Sequence, residues 1–322
     1  MDGITYVEID AEGRGTFLDP PKSLPAPDPE GLTWIHVDLA QPDARDWLQR
    51  AGLDSVVLRA LTAQETRPRC TVHGAGVLLN LRGVNLNPGD EVEDMVSIRL
   101  WANAHMVVSA QMRQLSAVKD LTEAIDRGQS PLNAAEFVAR LALRLADRAE
   151  PVVAELNERI DDLEDDVAQN VSAASRKELS EIRRLSIILR RHMAPQRDAL
   201  STFEIEDVDW ISHTDRPRIR EATERMTRLS EELDAIRDRA QVVRDQIADL
   251  RAEMMNRQML LLSVVAAIFL PLGLLTGLLG INVGGIPGAG TSWAFWAVTV
   301  GLVVVGVLQV LLFRGLGLLR LS

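Results

Sequence analysis

Residues 259–313 read MLLLSVVAAIFLPLGLLTGLLGINVGGIPGAGTSWAFWAVTVGLVVVGVLQVLLF, with no Asp, Glu, Lys, Arg or His. In a chain that is 25% charged, an uncharged run of 55 residues indicates a non-aqueous environment. A bilayer core about 30 Å thick is crossed by roughly 20 apolar residues in a helix. Met259–Leu279 and Ala294–Phe313 both have that length, and residues 280–293 separate them. The sequence therefore predicts a membrane protein with two transmembrane helices.

Basic residues lie before the first of these helices and after the second, but not between the two. Arg251 and Arg257 precede the first, Arg314 and Arg320 follow the second, and residues 281–293 carry no charge. Because loops rich in Lys and Arg stay in the cytoplasm, we expect a multi-pass membrane protein with both termini cytoplasmic. The Gly-rich segment between the helices would then be an external loop, and residues 314–322 a cytosolic tail.

The 258 residues before the first apolar helix change character along the chain. Short β-rich runs between turn signals predict a cytosolic α/β domain over 1–130. A cytosolic long-helix region over 131–216 and a stalk helix over 217–258 follow, so the fold class is α+β with long helices. The predicted strands are Ile4–Ile9, Trp34–Leu39, Gly76–Val84, Met95–Trp101 and His105–Ala110. The predicted helices are Gln41–Ala51, Asp54–Thr62, Gln114–Arg127, Leu132–Asn170 and Ala173–Phe203.

The stalk carries a heptad pattern. Apolar positions from Ile219 to Met254 recur in alternating steps of three and four residues, as in a coiled coil. Nothing between Pro217 and Pro271 breaks a helix, so stalk and first membrane helix are predicted to form one helix of about 60 residues. The apolar seam either packs on helices of its own domain or joins copies of the chain near the membrane. We favour the second interpretation.

Composition excludes several classes of function. The net charge is −11 and every carboxylate lies before residue 259, so nucleic acid is not an expected partner. The acidic surface either attracts cations or serves solubility. Nucleophile–base pairs, phosphate-binding loops and metalloprotease motifs are missing from the sequence, so we do not expect an enzyme. A single cysteine, Cys70, fits a reducing compartment.

The polar residue Asn282 follows the first membrane helix. Heptads counted onward from Met254 reach it 28 residues later, along a face that is otherwise apolar. The predicted pore-lining residues on this face are Leu261, Ile268, Leu275 and Leu279. If several copies surround an axis, a ring of carboxamides would accept hydrogen bonds from the water around a hydrated cation. Alternatively, Asn282 caps the end of the helix beside Gly280.

Two groups of acidic and imidazole side chains in the soluble part are candidate metal contacts. His213 lies close in sequence to Asp215, and a run of five carboxylates includes Asp161 and Asp165. The other members of these groups are Asp207 and Asp209 in the first, and Asp162, Glu164 and Asp166 in the second. The alternatives are a solvated connector and a solvated helix face. Cys70 and His73 have a ligand spacing, but on a strand they would face opposite sides.

The sequence LPLGLLTGLLGIN at 270–282, before one final apolar helix, resembles the CorA metal-ion transporter family. The signature of that family is Gly-Met-Asn between two helices. Ile281 in place of methionine departs from the magnesium branch and is similar to the zinc-transporter (ZntB-like) branch, as are residues 282–288. Further segments that resemble this branch are Glu65–Arg69, Leu78–Asn87 and Met95–Trp101. The resemblance covers essentially the whole chain.

This resemblance implies a CorA-like homopentameric funnel whose first membrane helix lines the pore. Gly280, Ile281 and Asn282 would form the selectivity mouth. It implies transport of a divalent cation, with Zn²⁺ as the transported ion, proton-coupled uptake as one mode, and no cofactor. The expected partners are copies of the chain, membrane lipids and divalent cations. Gly273 occupies a place where magnesium members often carry a hydroxyl residue, which argues against a magnesium-type site at that level.

Two alternatives to zinc transport remain. A magnesium or cobalt channel of the same architecture would share every feature of the two apolar helices. A two-span coiled-coil sensor or scaffold would have the same helices, with a loop that binds nothing.

Overall fold

Seven strands form one mixed sheet in the first of the chain's two units, Met1–Arg244; the second unit is Asp245–Ser322. The computed structural model describes residues 2–26, 28–64, 67–169, 173–281, 286, 288 and 290–316, without the side chains of 168–169 and 173–174. Asn282 and the first two residues of the segment 65–69 therefore lie outside the described residues.

The sheet has the strand order β2-β1-β3-β7-β6-β5-β4. The strands are β1 Ile4–Ile9, β2 Gly15–Leu18, β3 Leu32–Asp38, β4 Arg69–His73, β5 Gly76–Gly83, β6 Val96–Ala102 and β7 Met106–Gln111. Strands β3 and β7 are parallel, and the other neighbours are antiparallel. The five predicted strands are confirmed to within two residues at each end. The two edge strands are not among the five: β2 has four residues, too few to produce a periodic signal, and β4 has five.

Among the described residues, three short helices come first, three long helices follow, and an apolar helix comes last. They are α1 Pro42–Arg50, α2 Ser55–Thr62, α3 Ser116–Asp126, α4 Ala134–Gln169, α5 Ala173–Ile205, α6 Arg216–Gly280 and α7 Ala294–Gly315. Helix α2 begins after Asp54, whose side chain accepts a hydrogen bond of 2.8 Å from the Val56 N–H. Helix α6 runs without interruption for 65 residues, which confirms the predicted continuity of stalk and first apolar helix.

Helices cover the sheet on both faces. Ile35 and Val37 of β3 belong to a core with Trp47 of α1 and Leu61 of α2. Because successive side chains of a strand point to opposite faces, Trp34 lies on the other side, where its ring packs 5.1 Å from that of a phenylalanine in α4. The central strands β3 and β7 are consequently almost wholly buried.

The heptad seam of the stalk packs inside its own chain. The seam positions from Ile219 to Val243 are all at most 5% exposed. Helices α4 and α5 contact α6 along this length, for example through Arg239 to Asn157 at 3.1 Å and Gln196 to Met226 at 3.5 Å. The favoured interpretation, self-association through the seam, is therefore wrong for this part of the stalk. A heptad pattern specifies an apolar stripe and leaves open what covers it.

His36 of β3 is a buried titratable group of the sheet. Its Nδ1 lies 2.8 Å from the Ser109 hydroxyl, which in turn accepts a hydrogen bond of 2.9 Å from the Trp34 indole N–H. The other ring nitrogen, Nε2, is buried and has no hydrogen-bond partner within the described part of the chain. Burial lowers the pKa of His36 to about 4, so the imidazole is neutral at pH 7.

We predict that His36 makes unit Met1–Arg244 less stable in mild acid. Between pH 6.5 and pH 4 the unfolded chain binds a proton that the folded chain excludes, so the free energy of unfolding falls as pH falls. The loss from this group at pH 5 is about 2 kcal/mol relative to pH 8. Urea unfolding at both pH values measures it. In His36→Gln the difference between the two pH values should shrink by that amount, and an unchanged difference would contradict the assignment.

Candidate ion-permeation site

Two helices of unit Asp245–Ser322 are long and apolar enough to cross a membrane: the C-terminal part of α6, and α7. Their most apolar windows are almost wholly exposed, with 6% and 0% of the window buried. Core helices of soluble proteins are buried, whereas these two present apolar side chains on nearly every side. Apolar surface of this extent indicates a lipid environment or further protein contacts.

Helix α6 meets α7 along one stripe. Leu272 packs over Gly306, where an added Cβ would lie 3.8 Å from the leucine Cδ1. Val264 is only 6% exposed, and Ile268 and Leu272, one and two turns further on, are half-buried. Ile268, one of the four predicted pore-lining residues, therefore shares the stripe that faces α7. Gly306 was the sequence signal from which this contact between α6 and α7 could have been predicted, since small residues let membrane helices approach each other.

The other predicted pore-lining residues border this stripe. Leu261, Leu275 and Leu279 are exposed, with Leu275 at 41%. At 100° per residue, Leu261 and Leu279 lie about 60° from Val264 around the helix axis, and Leu275 lies about 20° from it. The predicted face is thus close to the side that α7 occupies in the same chain.

The opposite face of α6 is open. Leu262 and Leu270 are about 70% exposed, and a Cβ on Gly273 or Gly277 would meet nothing within 4 Å. These four positions lie roughly 160° to 240° around the axis from Val264. This face is free to form the wall of a path or to contact another copy of the chain.

The mouth predicted at Gly280, Ile281 and Asn282 begins where α6 ends. Gly280 is the last helical residue, and Ile281 is half exposed. Asn282 lies outside the described residues, so the structure follows the predicted heptad register of this face only as far as Gly280, where the helix ends. Hydroxyl groups near the mouth are satisfied by the backbone: the Thr276 Oγ1 donates to the Leu272 carbonyl at 3.0 Å.

The acidic cluster on α4 pairs with the stalk. The Arg239 guanidinium of α6 forms two hydrogen bonds with the Glu164 carboxylate, at 2.9 and 2.6 Å, and another with Asp161. Hydrogen bonding to Glu164 is the largest of several causes that raise the pKa of Arg239. Asp165 is exposed. The predicted metal contact at Asp161 therefore belongs to a carboxylate that already has a cationic partner.

The connector before α6 separates the other predicted metal contacts. Asp215 is 3% exposed and directly precedes α6, and its carboxylate accepts hydrogen bonds of 3.0 Å from the Ser212 N–H and from the Asn133 side chain. His213 is exposed. Asp207 and Asp209 instead line a surface cavity of about 760 Å³.

Within the described ranges, three or more His, Cys, Asp or Glu side chains are nowhere close enough to hold one metal ion. The metal contacts at His213, Asp215, Asp161 and Asp165 stay predictions. The Cys70–His73 pair of β4 is poorly suited to metal, since His73 Nε2 lies 3.0 Å from an Asp54 oxygen. Burial, with Glu206 nearby, raises the pKa of the Cys70 thiol to about 12, so the thiolate that zinc requires is disfavoured.

The fold and the two apolar helices define a class of protein: a large α/β domain attached by one long helix to a pair of candidate membrane spans. A family model described as "CorA-like Mg2+ transporter protein" matches residues 29–314. The chain belongs to that family, as the motif at 270–282 predicted.

Two related proteins align with this chain over most of their length. The divalent cation transporter CmaX of Pseudomonas aeruginosa is 40% identical over 291 residues, 89% of this chain and 88% of that protein. The zinc transport protein ZntB of Yersinia enterocolitica is 34% identical over 304 residues, 94% and 92% of the two chains.

Solved structures support the same fold. The full-length CmaX structure matches with a TM-score of 0.83 and 38% identity, over 98% of both chains. The CorA magnesium transporter of Methanocaldococcus jannaschii matches with a TM-score of 0.84 over 100% of this chain and 99% of that chain. At 16% identity the second match concerns the fold alone.

We predict that the Arg239 pairing stabilises the helix layer. Arg239→Gln should lower the free energy of unfolding of unit Met1–Arg244 by about 1 kcal/mol, because Glu164 and Asp161 lose their cationic partner while remaining partly solvated. Urea unfolding measures the change. The matched control is Arg197→Gln, whose partner Asp198 is its exposed neighbour in sequence, with an expected change below about 0.5 kcal/mol. Equal effects of the two substitutions would contradict the prediction.

Proposed function

We propose that this protein carries divalent cations, Zn²⁺ in the first place, across the bacterial inner membrane. The observation that carries the proposal is the pair of exposed apolar helices on a chain whose relatives, matched over about nine-tenths of its length, are a zinc transport protein and a divalent cation transporter. In this proposal the chain acts as a homopentamer with both termini in the cytoplasm. The same proposal divides the chain into a cytosolic α/β domain up to residue 130, a long-helix region up to 216 and a stalk helix up to 258. The first transmembrane helix then ends at 279, the external loop at 293 and the second transmembrane helix at 313.

The selectivity mouth is assigned to Gly280, Ile281 and Asn282. The segment 280–293 has no charged residue, so the strongest dipoles it offers are backbone carbonyls and the Asn282 carboxamide. A carboxamide oxygen accepts hydrogen bonds from the water shell of a cation without holding the ion too tightly to leave. Gly280 ends the helix and leaves room for close approach of copies around an axis.

The path itself is assigned to the face of α6 turned away from α7. A residue covered by α7 of its own chain cannot line a central axis, which disfavours Ile268 and the positions beside it. The open face includes Leu262, Leu270, Gly273 and Gly277, with small residues where copies of the helix would come close. Leu261, Leu275 and Leu279 remain the alternative wall, as the heptad register predicted.

We predict that the Asn282 carboxamide is required for selective flux. Asn282→Ala in protein reconstituted in vesicles should reduce Zn²⁺ entry at least tenfold, or remove the preference for Zn²⁺ over Mg²⁺ and Co²⁺, because the mouth loses its hydrogen-bond acceptor. A zinc-sensitive dye inside the vesicles, with competing Mg²⁺ or Co²⁺ outside, measures both quantities.

The matched control is Gln309→Ala, which removes the carboxamide of α7 and should leave flux within about twofold of the wild type. Unfolding of unit Met1–Arg244 should be the same in all three proteins. Unchanged Zn²⁺ flux in Asn282→Ala would exclude the proposed mouth. Preferred entry of Mg²⁺ or Co²⁺ in the wild type would support the magnesium or cobalt channel. Absence of flux for every ion, with oligomers retained, would support the scaffold.

We also predict which face of α6 contacts water. In a Cys70→Ser background, Leu270→Cys should react with a cationic, water-soluble thiol reagent at least tenfold faster than Ile268→Cys, and the modification should block Zn²⁺ flux. The exposed α7 position Val303→Cys is the control for a lipid-facing thiol. Fast reaction at Leu275→Cys with a slow reaction at Leu270→Cys would instead assign the path to the heptad face.

A further inference from the structure

The methionines of this chain fall into two groups by exposure. Met254, Met255 and Met259 of α6 are 50%, 64% and 60% exposed. The other methionines that the structure describes are buried or half-buried, and they are Met95, Met106, Met112, Met193 and Met226. Three exposed methionine side chains therefore lie within six residues of one helix, at the start of the uncharged stretch 259–313.

Two of the three exposed methionines share a face of α6. Met255 and Met259 are four residues apart, so they are neighbours on the helix surface, with Cβ atoms about 6 Å apart. At 100° per residue they lie about 180° and 220° around the axis from Val264, on the open face that also includes Leu262. Met254 lies about 80° from Val264 and belongs to another face. The open face thus begins with two exposed thioether side chains.

The surroundings of Met255 are polar. It precedes the uncharged stretch by one turn, and its exposed neighbours along the helix are Glu253, Asn256 and Gln258. Insertion into lipid therefore does not account for an apolar side chain at this position, and exposed apolar groups with a polar rim mark sites of contact. The property that distinguishes methionine from other apolar residues is its soft, polarisable sulfur.

We propose that Met255 and Met259 form a binding site for a soft monovalent metal cation of the class of Cu⁺ and Ag⁺. Thioether sulfur selects soft ions, whereas Mg²⁺ and Ca²⁺ require oxygen ligands. Two methionines one turn apart can both reach one ion, because their unbranched side chains rotate about three bonds. In the proposed homopentamer further copies of both side chains would face the same axis, and this part alone rests on the proposed function. The bound ion would lie at the inner end of the path proposed for Zn²⁺.

Isothermal titration with Ag⁺ tests the site on the full-length protein in detergent, in a chloride-free nitrate buffer that keeps the ion in solution. A Cys70→Ser background removes the single thiol of the chain. Ag⁺ should bind this background protein, and the double substitution Met255→Leu with Met259→Leu should weaken binding at least tenfold, because leucine keeps the apolar volume and lacks the sulfur. The matched control is Met254→Leu, the same change on another face, which should bind Ag⁺ within about twofold of the background.

Competition with a hard ion tests the ligand chemistry. Excess Mg²⁺ should leave the affinity for Ag⁺ unchanged, since Mg²⁺ has no use for thioether sulfur. Met255→Leu alone should weaken Ag⁺ binding at least threefold, and it serves if the double variant fails to fold. Absence of Ag⁺ binding, equal affinity in the double variant and the background, equal weakening by Met254→Leu, or displacement of Ag⁺ by Mg²⁺ would overturn the proposal. Because the readout is binding, its failure is distinguishable from a failure of Zn²⁺ transport.

Discussion

The constraint on which the structure depends is that a backbone inside a bilayer must satisfy its own hydrogen bonds. Residues 259–279 and 294–313 have no side-chain charge to attract water, and both form helices in which nearly every N–H finds a carbonyl four residues earlier. Pro271 removes one such donor, and α6 continues through it. Helix α6 therefore stays one element while the pattern of its side chains changes. Over Ile219–Val243 it is apolar on one stripe, and beyond Met259 it is apolar all round.

The elements of this fold were largely predictable because their signals are local. Apolar periodicity, turn residues and the small number of breakers predict α4, α5 and the start of α6 to within about two residues, although each of the three helices contains one proline. The partner of an apolar stripe is not a local property. Ile219 and Val243 have the same pattern whether another copy or α4 and α5 cover them, and the cover comes from residues some 30 to 80 positions away. The edge strand β2 was not predicted because four residues are too few to show a periodic pattern.

The candidate site was predictable in its position and less so in its detail. Resemblance to the family gave the motif at 270–282 and the order of the two apolar helices, and the family model confirms the membership. The face of α6 that lines a path depends on where α7 packs, which Leu272 and Gly306 decide across 34 positions of sequence. The acidic run on α4 resembles a cation site in sequence, yet part of it neutralises Arg239, 75 residues from Glu164. Electrostatic partners of this kind are set by tertiary packing.

The uncharged membrane stretch also bears on the driving force. A proton-coupled carrier usually holds its proton on an Asp, Glu or His within the membrane, and residues 259–313 contain none. The pKa of both His36 and His192 is about 4, so neither holds a proton near pH 7. Proton coupling would then depend on other ionisable groups of the soluble unit or on water in the path. A divalent cation needs no such coupling to enter, because an interior-negative potential of 100 mV favours its inward movement by about 4.6 kcal/mol, more than a thousandfold in concentration. The uncharged helices therefore favour a conduit driven by the membrane potential over a carrier that holds a proton within the membrane.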